Sequence, residues 1–200
     1  MPLYKLTMYL VSLMISSFFL SCEKDPETII KTVTVTDTLV IHKTDTVILK
    51  QYIEDSATTF ILSRHAETTG IGTDPALSVV GQERATELAR VLKNTKIQAV
   101  YSTNYNRTKE TSSKIASNNA VSTQIYDPAK LDELVNTLLN QYHNQVVYIA
   151  GHSNTTNVLL NILTGTNAYS NIPDSEYDNL YIVNVSSKGR AKVLHLKYGK

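Results

Sequence analysis

From Thr58 onward, apolar segments with the composition of β-strands alternate with segments that carry the apolar periodicity of α-helices. Such alternation favours a parallel sheet, because each helix crosses over the sheet and returns the chain to the same edge. We therefore predict an α/β domain over residues 58–200, a three-layer sandwich with a mostly parallel central sheet and helices on both faces. The first expected strand runs from Thr58 to the Arg64-His65 pair, and five more cover 97–101, 121–126, 145–150, 179–185 and 191–198. The expected helices run from Ser78 to about 93, over 105–116, from Asp127-Pro128 onward, and over 154–163.

The composition is that of a soluble globular protein, with 42% hydrophobic and 18% charged residues in a chain of 200. This length allows one domain of ordinary size and an appendage, but not two full domains. The formal net charge of +1 gives no reason to expect a nucleic acid as partner. Because Cys22 is the one cysteine, the sequence offers no disulfide framework and no thiolate metal site.

The first 21 residues have the organisation of a bacterial export signal. Lys5 supplies a short basic region, and residues 6–20 form an uncharged, mostly apolar segment that is too short to favour a spanning helix. The end of this segment, Phe19-Leu20-Ser21-Cys22, resembles a bacterial lipobox, which implies acylation of Cys22 and attachment to a membrane. An uncleaved anchor and an ordinary signal peptide are the alternatives. We predict a lipoprotein signal peptide at 1–21 and a location in the bacterial cell envelope, either periplasmic or on the cell surface.

Residues 22–57 are predicted to form a separate segment between the anchor and the domain. Residues 26–57 contain no glycine and are dense in Thr, Val and Ile, and 36–43 is nearly repeated in 44–51. Residues 33–36 alternate with the period of a strand, whereas the valines at 33, 40 and 47 recur every seven residues. We interpret 22–57 as a tether that lifts the domain off the membrane, with a self-associating stalk as the alternative.

Polar side chains follow three of the predicted strands. The first strand ends in Arg64 and His65, another is followed by Thr103 and, one turn on, Arg107, and a later strand is followed by His152 at the start of a helix. Because the carboxyl ends of parallel strands meet at one edge of a sheet, we expect two arginines and two histidines to converge there. Guanidinium groups and helix N-termini bind phosphate, and an imidazole can attack it. The sequence therefore predicts a phosphate site at this edge.

These residues lie in four motifs that follow one another in order: Arg64-His65-Ala66-Glu67-Thr68, Leu77-Ser78-x-x-Gly81, Tyr101-Ser102-Thr103-x-x-x-Arg107-Thr108-x-x-Thr111 and Gly151-His152-Ser153. The set is similar to the histidine phosphatase superfamily, which includes cofactor-dependent phosphoglycerate mutases, acid phosphatases and small bacterial phosphohistidine phosphatases. The resemblance implies that His65 is the nucleophile and forms phosphohistidine. It implies that Arg64, Arg107 and His152 complete the phosphate pocket and that Thr68 contributes to substrate binding. No cofactor is implied, and the spacing of Asp, Glu and His indicates no metal site.

Many members of that family also carry an acidic residue that protonates the leaving oxygen, in a segment after the second arginine. Asp127 is our candidate, because it follows a predicted strand; as an Asp before Pro it is equally a helix cap. Asp132 and Glu133 fall within an amphipathic helix, where a solvated face is expected, and Asp178 is a further alternative. Without an acid, phosphohistidine and other phosphoramidates would be the favoured substrates, since their leaving groups depart more easily.

The segment between Arg107 and His152 has room for two strands and two helices and no more. The mutases of the family carry long insertions there that cap the site, so the shortness of this segment favours an open site and hydrolysis over mutase activity. We predict a membrane-anchored extracytoplasmic phosphatase that hydrolyses phosphomonoesters or phosphoramidates and acts on a phosphorylated small molecule or macromolecule. The alternative is a non-catalytic module on the same fold that binds phosphorylated ligands.

Overall fold

The computed structural model describes residues 28–32, 38–43, 46–51 and 57–199 and divides the chain into two compact units, 1–53 and 54–200. The predicted signal peptide, Cys22 and the alternating residues 33–36 lie outside the described residues. The anchor and the export signal therefore stay predictions.

The first unit contains a three-stranded antiparallel sheet in the order β1-β2-β3. Its strands are β1 (Thr28–Thr32), β2 (Thr38–Lys43) and β3 (Thr46–Gln51). The two halves of the near-repeat supply β2 and β3, which pair with Val40 opposite Leu49 and His42 opposite Val47. The seven-residue spacing of Val40 and Val47 thus lies across two paired strands and not along a helix.

The second unit is an α/β sandwich around a six-stranded sheet in the order β6-β5-β7-β4-β8-β9. Neighbouring strands from β6 to β4 are parallel, whereas β8 pairs antiparallel with β4 and β9 pairs antiparallel with β8. The predicted fold class is confirmed, with the two C-terminal strands forming a hairpin. The elements are β4 (Thr58–Arg64), α1 (Val79–Val91), β5 (Ala99–Ser102), α2 (Asn106–Asn118), β6 (Thr123–Ile125), α3 (Leu131–Gln141), β7 (Val146–Gly151), α4 (Ser153–Thr164), β8 (Asn179–Ser187) and β9 (Arg190–Lys197).

The core lies on both faces of this sheet, because successive side chains of a buried strand point in opposite directions. Phe60 and Leu62 of β4 pack in one cluster with residues of α3 and α4. Ile61 packs in a second cluster with residues of α1 and α2. Two helices therefore cover each face, as a three-layer sandwich requires. Among the described helices, none has both the length and the apolar character needed to cross a membrane.

Helix α1 begins where the sequence indicated. Ser78 is its N-cap, and the Ser78 hydroxyl accepts a hydrogen bond of 3.1 Å from the amide of Gly81. A Cβ at Gly81 would collide with the backbone of Glu67, so this glycine allows the helix to approach the loop that follows β4. The start of α1 is thereby fixed against the end of the central strand.

The predicted start of the third helix is wrong. Helix α3 begins at Leu131, and residues 127–130 form a turn in which Lys130 donates its amide to the Asp127 carbonyl at 3.0 Å. The Asp127 carboxylate accepts the Ala129 amide at 2.9 Å. The short Asp side chain satisfies the local backbone in a turn conformation, and Pro128 has no amide hydrogen to donate. The helix consequently starts four residues later than Asp127.

Candidate active site

The parallel part of the sheet brings the ends of β4 and β7 side by side. Arg64 is opposite Gly151, the last residue of β7, and the amide of His65 donates to the carbonyl of Gly151 at 2.9 Å. A histidine follows each of these two strand ends, His65 after Arg64 and His152 after Gly151. The centroids of the two imidazole rings lie 5.4 Å apart in an edge-on arrangement. The predicted pair of histidines is therefore brought together at one edge of the sheet.

His65 is held so that one ring nitrogen is a hydrogen-bond donor. Its Nδ1 lies 2.8 Å from the carbonyl oxygen of Ala66, and a carbonyl oxygen can accept but not donate. The proton of the neutral ring is therefore on Nδ1, which leaves the Nε2 lone pair free. The backbone is fixed as well, because the amide of Ala66 donates to the Thr111 hydroxyl on α2 at 2.9 Å.

The surroundings keep His65 neutral. The pKa of His65 is lowered from 6.5 to about 3, chiefly by burial, and the hydrogen bond to Ala66 opposes this shift only in part. The positive charges of Arg64 and Arg107 and the neighbouring His152 contribute to the same lowering. At neutral pH the ring is therefore uncharged and can act as a nucleophile.

His152 is held by a chain of hydroxyl groups. Its Nε2 lies 2.8 Å from the hydroxyl oxygen of Thr103, which lies 2.8 Å from the hydroxyl oxygen of Thr108. The Thr108 hydroxyl also contacts two carbonyl oxygens, those of Tyr105 at 2.9 Å and Thr103 at 3.1 Å, and a carbonyl can only accept. Thr108 therefore donates towards these carbonyls, so the Thr103 hydroxyl donates to Thr108 and His152 Nε2 donates to the Thr103 hydroxyl.

This tautomer of His152 is the reverse of that of His65. Burial lowers the pKa of His152 from 6.5 to about 4, with further contributions from the charges of Arg107 and Arg64. Both rings are thus neutral at pH 7, but one carries its proton on Nδ1 and the other on Nε2. Two histidines that look equivalent in the sequence are prepared for different roles.

Arg64 is enclosed by a segment that sequence reasoning did not assign to the site. Its Nη1 donates to three backbone carbonyls, those of Pro173 (2.9 Å), Asp174 (3.1 Å) and Glu176 (3.2 Å). Its Nη2 donates to the Asp174 carboxylate at 3.4 Å, and the Tyr177 ring covers the guanidinium at 4.2 Å. With 7% of its side chain exposed, Arg64 is fixed in place before any ligand arrives.

Arg107 is held by fewer contacts. Its guanidinium stacks on the Tyr105 ring at 4.4 Å, and its Nη1 lies 3.7 Å from the carboxylate of Asp74. Asp74 also accepts the amide of Asn106 at 2.9 Å, at the start of α2. Tyr105 in turn meets His152 edge to ring at 5.3 Å. The second arginine is therefore placed beside the histidine pair by an aromatic side chain, with a carboxylate on its outer side.

The other predicted acidic residues occupy different surroundings. Asp132 binds Lys188 at 2.6 Å, and this hydrogen bond holds the pKa of the Asp132 carboxyl below its usual value. Asp178 binds Lys197 at 2.9 Å. These pairs are exposed surface contacts, as a solvated role predicts.

Asp127 remains the candidate acid. It is exposed and lies in an open groove that also includes Tyr105, the residue that touches His152. Glu133 lies 3.8 Å from Lys130 on the surface of α3, in keeping with its expected solvated position. Thr68 forms an isolated antiparallel bridge with Leu77, and its part in substrate binding stays a prediction. Within the described part of the chain, no three or more side chains of His, Cys, Asp or Glu are grouped to hold a metal ion.

Sequence reasoning missed three contributors to the site, each for a different reason. The segment 173–177 holds Arg64 mainly through backbone carbonyls, with the Asp174 carboxylate and the Tyr177 ring beside them, so no side-chain motif marks it. Asp74 lies in a loop after the first motif, and its contact with Arg107 depends on how that loop folds back. Tyr105 stands two residues before Arg107 in the sequence, which is the one signal that was available.

Comparison with known proteins gives a family match and a set of similar folds. Residues 60–134 match the family model described as histidine phosphatase superfamily (branch 1). This stretch includes His65, Arg107 and Asp127 and ends before His152. Among curated proteins, none matches the chain.

Three solved structures illustrate the likeness in fold. The protein histidine phosphatase SixA, in complex with tungstate, has a TM-score of 0.58 and 16% identity over 70% of this chain and 96% of its own. YhfR from Bacillus stearothermophilus has a TM-score of 0.58 and 16% identity over 68% and 95%. The mycobacterial glucosyl-3-phosphoglycerate phosphatase Rv2419c has a TM-score of 0.56 and 13% identity over 72% and 100%. The α/β fold of this chain is thus that of histidine phosphatases.

Proposed function

We propose that this protein is a histidine phosphatase that hydrolyses phosphomonoesters or phosphoramidates through a phosphohistidine on His65. The observation that carries the proposal is the state of the His65 ring. Its Nδ1 proton is committed to the Ala66 carbonyl at 2.8 Å, its pKa is lowered to about 3, and its Nε2 lone pair is free. A neutral imidazole with a free nitrogen beside two guanidinium groups suits attack on a phosphoryl group.

In the first half of the reaction, Nε2 of His65 attacks the phosphorus and the bond from phosphorus to the leaving oxygen or nitrogen breaks. The transition state spreads negative charge over the three equatorial oxygens of the phosphoryl group. Arg64 and Arg107 would stabilise this charge, and Arg64 needs little reorganisation because three carbonyls already fix its guanidinium. The first half leaves a phosphoryl group on His65.

The leaving group takes a proton as it departs. Asp127 would supply this proton to an alcohol, since its carboxyl lies in the groove next to Tyr105 and is open to solvent. For a phosphoramidate the leaving nitrogen is protonated more readily, so the contribution of Asp127 would be smaller. In an Asp127→Asn variant, hydrolysis of a phosphomonoester should therefore fall more than hydrolysis of a phosphoramidate, and comparing the two rates tests the role of Asp127.

In the second half, a water molecule gives one proton to the Asp127 carboxylate as its oxygen attacks the phosphorus, and the bond from phosphorus to Nε2 breaks. Inorganic phosphate leaves, His65 is free with its Nδ1 proton in place, and Asp127 is again protonated. The short segment between α2 and α4 supports hydrolysis over mutase activity, because its described residues form β6, α3, β7 and turns and no further element that covers the edge of the sheet. Water therefore reaches the phosphohistidine from the open groove.

The decisive test uses the full chain and a small aryl phosphate. His65→Asn should abolish turnover, and His143→Asn, an exposed histidine outside the site, should leave it unchanged. Activity that survives His65→Asn would refute the mechanism. If wild-type protein binds inorganic phosphate but never turns over any phosphate ester or phosphoramidate, the chain is instead a phosphate-binding module.

We also propose that the enzyme is a lipoprotein of the bacterial cell envelope, attached through Cys22. The lipobox-like sequence and the composition of residues 1–21 support this. Cys22→Ala should release the protein from membranes in a cell fractionation experiment, and a Cys22→Ala protein that stays in the membrane fraction would refute lipid attachment.

A further inference from the structure

We infer that the open groove next to His152 binds the leaving group of the substrate and selects a neutral leaving group with a planar apolar surface. This inference rests on the proposed function, since it names the class of substrate for the same site. The groove has a volume of about 580 Å³, in the range of small-molecule sites. It is lined by Asn104, Tyr105, Ile125, Tyr126, Asp127 and Pro128.

The groove adjoins the phosphate site through Tyr105. This ring meets His152 at 5.3 Å and supports the guanidinium of Arg107 at 4.4 Å, so one residue belongs to both regions. On the other wall, the Tyr126 hydroxyl donates to the carbonyl of Ala150 at 3.2 Å, near the end of β7. A phosphate between the two histidines would therefore have its ester group within reach of this groove.

The opposite side of the site is occupied by protein. The segment 173–176 holds Arg64 through three carbonyls, and Tyr177 covers that guanidinium at 4.2 Å and lies 6.0 Å from the His65 ring. A leaving group on that side would have to displace these contacts. The groove beside Tyr105 offers the less obstructed direction for the rest of the substrate.

The chemistry of the lining indicates what fits. Ile125 is 52% exposed and Tyr105 is 39% exposed, so both present apolar surface to the groove. Together with Pro128 they offer flat, apolar surface against which an aromatic ring or a similar planar group can pack. Such contacts stabilise a bound ligand by removing apolar area from water.

The charge of the groove disfavours a second anionic group. Its six lining residues include one carboxylate, Asp127, and no cation. Arg107, which stacks on Tyr105, is paired with Asp74 and belongs to the phosphate pocket. Lys109 donates to Oδ1 of the lining residue Asn104 at 3.3 Å, so this cation is already engaged at the wall of the groove. A leaving group with its own carboxylate or phosphate would have to compete for Lys109 and would also face the carboxylate of Asp127, whereas a neutral one would do neither.

The test measures binding, so that it does not depend on turnover. Calorimetry on the full chain compares three non-hydrolysable probes: methylphosphonate, benzylphosphonate, and benzylphosphonate with a carboxylate on the ring. We expect benzylphosphonate to bind at least about tenfold more tightly than methylphosphonate, and the carboxylated probe to lose most of that gain. Equal affinity for the first two probes would overturn the inference, as would a preference for the carboxylated probe.

A matched pair of variants locates the effect. Ile125→Thr keeps a β-branched residue in β6 and removes apolar surface from the groove. It should reduce the preference for benzylphosphonate by about fivefold and leave methylphosphonate affinity unchanged. Leu194→Thr removes a side chain of similar exposure, 54%, from edge strand β9 and should change neither affinity. A preference that Ile125→Thr leaves intact would place the aromatic group elsewhere and overturn the assignment.

Failure of the proposed catalytic function and failure of the groove assignment give different results. If the aryl preference and its loss in Ile125→Thr are observed while no phosphate ester is hydrolysed, the groove assignment stands and catalysis is refuted. If hydrolysis depends on His65 but the probes show no aryl preference, catalysis stands and the groove assignment is overturned. Absence of binding for all three probes, together with absence of hydrolysis, contradicts both.

Discussion

A histidine follows each of the strands β4 and β7, and the two rings are protonated on opposite nitrogens. After β4, a backbone carbonyl accepts a hydrogen bond from Nδ1 of His65, so Nε2 carries no proton. After β7, the Thr103 hydroxyl, itself bonded to Thr108, accepts a hydrogen bond from Nε2 of His152. Both rings have a lowered pKa because both are buried near arginines. Burial therefore makes each histidine neutral, whereas the hydrogen-bond partner decides which ring nitrogen can react.

The largest expected effect comes from exchanging the two histidines for asparagine one at a time. His65→Asn should lower kcat/KM by about 10⁴-fold or more, because it removes the nucleophile. His152→Asn should lower it by about 10²- to 10³-fold, because it removes one stabilising group and leaves the attacking nitrogen in place. Steady-state kinetics with an aryl phosphate measures both, and equal losses would show that the two strand ends do not differ in role.

A smaller effect is expected from Arg64→Lys. Lysine cannot reproduce the planar set of donors that meets three carbonyls of the segment 173–176, so kcat/KM should fall by about 10²-fold. Arg107→Lys, which breaks a ring contact and one distant ion pair, should cost less. A larger loss for Arg107→Lys would contradict the view that Arg64 is the more firmly positioned of the two.

Thr103→Val tests the hydroxyl chain behind His152. Valine has the same shape but cannot accept the Nε2 proton, so kcat/KM should fall by about tenfold. The ¹⁵N resonances of the His152 ring should show loss of the Nε2–H tautomer, while those of His65 stay unchanged. Thr137→Val is the control, because the exposed Thr137 hydroxyl donates to the carbonyl of Glu133 in its own helix at 2.9 Å. Unaltered His152 resonances in Thr103→Val would contradict the assigned tautomer.

The smallest effect is expected from pH. With its pKa lowered to about 3, His65 stays neutral down to about pH 4, so kcat/KM per substrate dianion should change little between pH 7 and 5. A stepwise loss of activity with a midpoint near 6.5 would contradict this, because it would show that His65 titrates with its ordinary pKa.

The lowered pKa of His65 should also make the free energy of unfolding depend on pH. Between pH 6.5 and about 3 the unfolded chain binds more protons at His65 than the folded chain, so the free energy of unfolding falls as the pH is lowered. The contribution is fully present above pH 6.5. His65→Asn should reduce the loss between pH 6.5 and 4 by on the order of 3 kcal/mol, as measured by urea unfolding at a series of pH values.

Much of the fold could be predicted, because the alternation of strands and helices and the position of Ser78 depend on local sequence. The convergence of Arg64, His65, Arg107 and His152 could be predicted as well, because each follows a strand of an expected parallel sheet and the carboxyl ends of such strands meet at one edge. The start of α3 could not, because Asp127 satisfies a turn as readily as a helix. The enclosure of Arg64 by residues 173–176 could not either, since backbone carbonyls carry no side-chain signature.

The central claim is that Nε2 of His65 becomes phosphorylated. Rapid quenching in base during turnover of an aryl phosphate, followed by ³¹P NMR and peptide mapping, identifies both the residue and the ring nitrogen. We expect a phosphoryl group on Nε2 of His65 in the wild-type protein and none in His65→Asn. Phosphate on His152, phosphate on Nδ1, or turnover with no phosphohistidine would contradict it.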